Sequence, residues 1–165
     1  MNKVHTQRKS LRVLFLLSLT LILLISLTGC RKENGELKPV AASEFQKIAE
    51  GLGYKIYDIT NQYSYSPPIK RCVGFEVKGF HFEFFEIDSK ENTIEFFEIN
   101  KAGFEKNKTS GSTEVNINDD TQNLYTLKTN ETYYYVQQVG TTAVFAYCPI
   151  GSSADLEKVI KAINY

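Results

Sequence analysis

Side chains that commonly carry catalysis are sparse in this sequence. His81 is the only histidine beyond residue 5, and no CxxC pair, GxSxG or SxxK motif or glycine-rich phosphate loop accompanies it. Without a second histidine nearby, the usual zinc sites are not available. Because His81 alternates with Phe80 and Phe82, we expect it beside Glu83 on the outer face of a strand, as a solvated side chain; a base or ligand is the alternative. The sequence predicts a protein with no catalytic residues, cofactor or metal.

Tyrosine is the residue type with the clearest binding potential. The chain has ten Tyr and eleven Phe but no Trp. The run Tyr133-Tyr134-Tyr135 must place rings on both faces of one strand, since successive side chains alternate. Together with Tyr63 and Tyr65, these rings would form an aromatic recognition surface, because tyrosine offers contact area and a polar tip. The alternative is that they pack in the sheet and only their hydroxyls reach water.

Two cysteines lie within the predicted folded region, each at the end of a predicted strand. In an oxidising compartment Cys72 and Cys148 would form a disulfide, which over so long a loop stabilises by about 4 kcal/mol in the chain-entropy model. Two buried, unpaired thiols are the other interpretation, and both remain open from sequence alone.

The third cysteine ends an N-terminal segment with three zones. Residues 1–12 carry four basic and no acidic side chains, and Val13 to Leu27 is an apolar run broken only by two serines and a threonine. As a helix this run is roughly 22 Å long, shorter than the ~30 Å hydrocarbon core and typical of a signal peptide. The ending Leu27-Thr28-Gly29-Cys30 resembles the lipobox of bacterial lipoproteins. That resemblance implies cleavage before Cys30 and diacylglycerol on its sulfur, with acyl chains such as palmitate.

The segments that follow from this prediction are a cleaved signal peptide at 1–29, a lipidated cysteine and tether at 30–40, and one domain at 41–165. Cleavage leaves 136 residues, enough for one hydrophobic core. It removes four basic residues, so 15 basic and 19 acidic side chains remain, a net charge of −4. This balance argues against nucleic acid as a partner, because its phosphates require a basic face.

Periodicity predicts the elements of the domain. Ser43-Glu44-Phe45-Gln46 fits a capping box before a first helix, and Asp88 or Ser89 is expected to cap a second. Alternating apolar residues predict strands on either side of a Lys78-Gly79 turn, with a bulge at Phe84-Phe85 where the alternation slips. Residues 105–122 have the composition of a long mobile loop. Further strands are expected at 123–129, 132–139 and 142–148, and a final helix follows Ser152 or Ser153.

This order, α-βββ-α-βββ-α, predicts an α+β domain with a single antiparallel sheet of about six strands and its helices packed on one face. The pattern of a capped helix, a GY strand, FEFFEIDS leading into a helix and an aromatic hairpin resembles small lipoproteins of Gram-positive bacteria. The expected function is that of a lipid-anchored module on the extracytoplasmic face of the cell membrane, binding a protein, peptide or cell-wall component. The alternatives are an inhibitor- or immunity-like protective lipoprotein and a small envelope hydrolase that uses His81.

Overall fold

The computed structural model describes residues 37–63 and 68–165. These residues belong to one compact unit. Within the described residues, its three helices are α1 (Ala42–Gly51), α2 (Lys90–Glu105) and α3 (Ser153–Ala162). Its seven strands are β1 (Tyr57–Asp58), β2 (Ile69–Val77), β3 (Phe80–Ile87), β4 (Thr113–Asn118), β5 (Gln122–Lys128), β6 (Thr132–Val139) and β7 (Thr142–Pro149). Short 3-10 helices occupy Thr60–Tyr63 and Ile150–Ser152.

All seven strands join one antiparallel sheet in the order β1-β2-β3-β7-β6-β5-β4. The prediction of an α+β domain with a single antiparallel sheet is confirmed. The sheet has seven strands where about six were predicted, and the order differs from α-βββ-α-βββ-α by this one strand, because β4 lies in the stretch expected to be a loop. Every residue of β4 is exposed. Its alternating apolar residues are only Val115 and Ile117, and they stand in a stretch rich in polar and turn-forming residues, so composition favoured a loop.

The helices cover both faces of the sheet, so the prediction of one covered face is wrong. Helices α1 and α3 pack on what we call the α1/α3 face, where they bury the largest apolar cluster. Helix α2 packs on the opposite face, the α2 face, where Phe96, Phe97 and Phe104 contact two further clusters. An apolar stripe in the sequence predicts that a helix packs against the sheet, but it does not predict which face of the sheet the helix covers.

Burial on both faces also explains why β3 contains no bulge at Phe84-Phe85. The pairing of β3 with β2 and β7 runs without a shift from residue 81 to residue 86, and the irregularity lies at Ile69/Arg71 instead. Phe84 faces α1 and Phe85 faces α2, and both are at most 1% exposed. Two consecutive phenylalanines are buried here because both sides of a central strand are covered.

Stacked phenylalanines form the centre of the α1/α3 face. Phe45 of α1 stacks on Phe82 and Phe84 at ring-centroid distances of 5.2 and 4.9 Å. The start of α1 is also held from β3, because the Glu86 carboxylate accepts a 2.6 Å hydrogen bond from the backbone N–H of Ala42. The predicted capping box is wrong, since the helix begins at Ala42 and no local side chain caps it. A negatively charged carboxylate stabilises a helix at its N-terminus, where the helix dipole is positive.

Cys72 and Cys148 are free and buried in this structure. Cys72 lies in an apolar cluster on the α2 face and Cys148 in the cluster on the α1/α3 face, so the sheet separates them. The disulfide interpretation is therefore not realised. Burial raises the pKa of both thiols, that of Cys148 to about 11, and this keeps them protonated and unreactive near neutral pH.

Several predictions fall on residues outside the described ranges: the signal peptide, Cys30, the first part of the tether and Tyr65. Among the described residues, no helix has the length and apolarity needed to cross a membrane.

Candidate functional site

Four of the five tyrosines singled out by sequence are among the described residues, and these four do not share one surface. Tyr133 and Tyr135 point to the α1/α3 face, where each is 5% exposed and part of the core. Their assignment to a binding face is therefore wrong. Tyr63 and Tyr134 lie on the α2 face and are half-buried. Strand alternation accounts for the split within β6, because successive side chains point to opposite faces of the sheet. Helices α1 and α3 then bury Tyr133 and Tyr135 on one of these faces.

On the α2 face, an aromatic row crosses three neighbouring strands. His81 of β3 lies directly opposite Tyr147 of β7, which lies directly opposite Tyr134 of β6. The rings of His81 and Tyr147 stack at a centroid distance of 4.8 Å with an angle of 10° between their planes. Tyr147 and Tyr134 are 6.5 Å apart and tilted. Residues directly opposite in an antiparallel pair are the closest cross-strand neighbours, so the sheet itself holds this row together.

The C-terminal part of α2 forms the second wall of a groove over this row. Phe104 packs against both Tyr134 and Phe145, at 5.0 and 4.9 Å between ring centroids. The open space between helix and strands has a volume of about 940 Å³. Its principal apolar lining is Ile99, Phe104, Tyr134, Phe145 and Tyr147. We call this space the aromatic groove, and its size is in the range of ligand-binding clefts.

A polar extension continues from the aromatic groove. This second space has a volume of about 440 Å³, and it shares Asn107, Thr132 and Tyr134 with the aromatic groove. Its other lining residues carry mainly hydroxyl, amide and carboxylate groups: Thr109, Ser110, Thr129, Asn130 and Glu131. A ligand lying along both spaces would therefore meet aromatic surface at one end and hydrogen-bonding groups at the other.

At the His81 end of the aromatic row, a buried carboxylate joins His81 to the 3-10 helix that follows β1. Glu83 is 6% exposed. Its carboxylate accepts hydrogen bonds from His81 Nε2 at 3.1 Å and from the Tyr63 hydroxyl at 2.6 Å. Burial, together with the hydrogen bond to Glu83, raises the pKa of Tyr63 above its ordinary value. Tyr63 therefore stays a neutral donor that fastens the 3-10 helix to the sheet.

Gly74 provides the space for this carboxylate. It lies directly opposite Glu83 in the β2–β3 pair. A Cβ atom built on Gly74 would lie 2.4 Å from the backbone oxygen of Phe82 and 3.3 Å from Cγ of Glu83. Since the nearer atom belongs to the backbone, no rotamer change relieves the clash, and only glycine fits here.

Both ring nitrogens of His81 face carboxylates. Nε2 donates to Glu83, and the buried Nδ1 lies 3.5 Å from Glu76. The hydrogen bond to Glu83 raises the pKa of His81, and the coulombic effect of both glutamates adds to it, whereas burial opposes it. The expectation of a solvated histidine is wrong, because its side chain is only 20% exposed. This arrangement is suited to a charged, structural imidazolium, since each ring nitrogen lies within 3.5 Å of a carboxylate oxygen.

This geometry predicts a pH dependence of stability. A raised pKa means that His81 contributes stability that is fully present below its unfolded-state pKa of about 6.5 and is lost as the pH rises through the folded-state value. We expect His81→Gln to reduce the free energy of unfolding most at pH 5.5 and least at pH 9, as measured by urea unfolding across this range. The same loss at every pH, or a loss that grows with pH, would contradict the assigned charge.

The expectation that His81 lies beside Glu83 is confirmed, but sequence reasoning missed Phe145 and Tyr147 as members of the site. The signal for the last two was present in the alternation of Phe145 and Tyr147 along β7, but it could not show which neighbours they would meet. Within residues 37–63 and 68–165, no group of three or more His, Cys, Asp or Glu side chains could hold a metal ion. In comparisons with known proteins, no family model, curated protein or solved structure matches this chain.

Proposed function

We propose that this protein is a lipid-anchored module on the extracytoplasmic face of the cell membrane, and that its domain binds a protein, peptide or cell-wall component in the aromatic groove. The observation that carries the binding part is the row of Tyr134 and Tyr147 beside Phe104 and Phe145, which leaves about 940 Å³ between α2 and the sheet open. The lipobox-like residues 27–30 support the anchoring part.

The composition of the groove supports a binding role. Aromatic side chains that are already packed against one another lose little conformational entropy when a ligand covers them. Tyr134 and Tyr147 also keep hydroxyls that can donate hydrogen bonds, and the adjoining polar extension adds hydroxyl and amide groups. Such a mixture of apolar surface and a few polar groups is typical of ligand sites.

The state of His81 supports binding over hydrolysis. A general base needs a nitrogen within hydrogen-bond reach of the proton that it removes. Glu83 occupies Nε2, and Nδ1 is buried beside Glu76. The histidine instead holds Tyr147 by stacking and so shapes one end of the aromatic groove.

A crosslinking experiment in intact cells tests the groove. A photo-reactive amino acid placed at Ile99, which is 58% exposed on α2 and lines the groove, should attach to the ligand. The matched probe is at Lys158, an exposed position on α3 at the other face. Adding Tyr134→Ala and Tyr147→Ala should reduce the Ile99 adduct about tenfold or more, because central aromatic residues often contribute 2 kcal/mol or more to binding.

The control for these substitutions is Tyr57→Ala, which removes a tyrosine that is 50% exposed on β1, away from the aromatic groove. It should leave the adduct unchanged. Equal adducts at positions 99 and 158, or an Ile99 adduct that survives both alanine changes, would exclude the aromatic groove as the binding site.

A further inference from the structure

We propose that the exposed edge of β4 is a self-complementary interface, through which two copies of this chain join their sheets by antiparallel β4–β4 pairing. The two edges of the sheet differ strongly. The β1 edge has only two residues, Tyr57–Asp58. The β4 edge has six residues, Thr113–Asn118, all of them exposed and none of them Lys or Pro. Short strands, lysine and proline are the usual means by which proteins prevent edge pairing, and β4 has none of these.

The hydrogen-bond phase of β4 shows which backbone groups face outward. In the turn to β5, the backbone N–H of Asp119 donates to the carbonyl oxygen of Gln122 at 3.0 Å. In an antiparallel sheet, residues whose backbone N–H and C=O point to one neighbouring strand alternate along the chain with residues whose groups point to the other side. With the observed register between β4 and β5, the residues bonded to β5 are Thr113, Val115 and Ile117. The outward groups are therefore the N–H and C=O of Glu114, Asn116 and Asn118.

One register satisfies all of these outward groups at once. If Asn116 lies opposite the partner's Asn116, then Glu114 lies opposite the partner's Asn118, and the converse holds by two-fold symmetry. Each of these three pairs exchanges two hydrogen bonds, as in any hydrogen-bonded antiparallel pair. A shift of two residues in either direction leaves outward groups unpaired. The symmetry is that of an isologous dimer with its axis perpendicular to the sheet.

The side chains fit the same register. Val115 and Ile117 are 50% and 36% exposed and share the α1/α3 face, across from Thr126 and Leu124 of β5. Pairing around Asn116 places each Val115 opposite the partner's Ile117, at non-hydrogen-bonded positions where side chains approach most closely. Two exposed apolar side chains per copy thus become one stripe of four. On the other face, no like charges oppose each other.

Charge at the ends of β4 favours the antiparallel direction. Lys106 and Lys108 precede the strand, and Asp119 and Asp120 follow it. Lys108 already pairs with Glu114 at 2.6 Å, so the one carboxylate within the strand is neutralised. Parallel pairing would place Asp119 and Asp120 of the two copies side by side, whereas antiparallel pairing keeps them at opposite ends of the interface.

Cysteine crosslinking of the purified full chain tests the register. Asn116 lies on the proposed axis, where the two Cα atoms of a hydrogen-bonded pair are about 5.5 Å apart and within disulfide range. Under mild oxidation, Asn116→Cys should therefore form a disulfide-linked species of twice the chain mass. Asn118→Cys is the matched control on the same strand and face. Its sulfur would meet the partner's Glu114, about 13 Å along the strand from the equivalent cysteine, and should not crosslink above the wild-type level.

A second variant tests the side-chain pairing. Adding Val115→Lys and Ile117→Lys to Asn116→Cys places lysines opposite each other and should reduce the crosslinked fraction at least fivefold, with the circular dichroism spectrum unchanged. If this variant does not fold, the comparison of positions 116 and 118 decides alone. Equal crosslinking at positions 116 and 118, or no crosslink above the wild-type level, would overturn the pairing of two copies. The same conclusion would follow if cell extract were added and Asn116→Cys formed a disulfide only with another protein from that extract.

Discussion

Phe82→Ala is expected to lower the free energy of unfolding by about 3–5 kcal/mol, the usual loss when a buried phenylalanine is truncated and a cavity remains. Phe82 is fully buried at the centre of the α1/α3 face. It stacks against Phe45 of α1 and Phe75 of β2, at 5.2 and 5.5 Å between ring centroids. The change therefore removes contacts to a helix and to the neighbouring strand at once. Urea unfolding followed by circular dichroism measures the loss.

Two further variants define the mechanism. Phe82→Leu retains most of the apolar volume, so it should cost clearly less than Phe82→Ala. Ile99→Ala removes an apolar side chain that is 58% exposed, and it should change the free energy of unfolding by no more than about 0.5 kcal/mol. If Phe82→Ala were as mild as Ile99→Ala, Phe82 would not lie in a tightly packed core.

Cys30→Ala is expected to abolish lipid attachment completely, because the proposed thioether needs the cysteine sulfur. Incorporation of labelled palmitate into the expressed protein should fall to background, and the chain should accumulate at precursor size. Without the thioether, the chain lacks the two or more acyl chains that stable anchoring needs. We therefore expect no residual lipid-anchored fraction. Mass spectrometry of the membrane fraction gives the second measurement, since the processed wild-type chain should begin at a diacylated residue 30.

The matched control is Thr28→Ser, which keeps a small residue in the lipobox-like motif and should leave labelling and processing unchanged. Cys148→Ala removes a buried thiol and should also retain the label. A Cys30→Ala protein that remained in the membrane at the normal processed size would contradict the anchoring proposal. Binding in the aromatic groove would then have to be proposed without lipid anchoring through Cys30.

Local chemistry predicted much of the connectivity. At the Lys78-Gly79 turn both residues have positive φ, of 50° and 78°, as a two-residue hairpin with the twist of its strands requires. Ser89 caps α2 by accepting a hydrogen bond from the backbone N–H of Asn92 at 3.1 Å. The strands expected at 123–129, 132–139 and 142–148 match β5, β6 and β7 to within one residue at each end. All of these features depend on contacts between residues that are close in the chain.

Features that depend on distant contacts were not predicted. The α1 N-terminus is capped by Glu86, 44 residues away. The carboxylate of Glu83 meets Tyr63 only because the 3-10 helix after β1 folds over the sheet. The partners of Tyr134 in the aromatic groove are Phe104 of α2 and Tyr147 of β7, and no local pattern joins them.

The sequence by itself determined where this chain turns, where its side chains alternate and which residues are apolar, because each of these follows from a few neighbouring residues. Only the tertiary structure decided which face of the sheet each helix covers. That choice buried Tyr133 and Tyr135 and left Tyr134 and Tyr147 beside an open groove, while the strand pairing placed Cys72 and Cys148 on opposite faces of the sheet. The physical reason is that a strand's alternation divides side chains into two sets, but the packing of distant helices determines which set remains accessible.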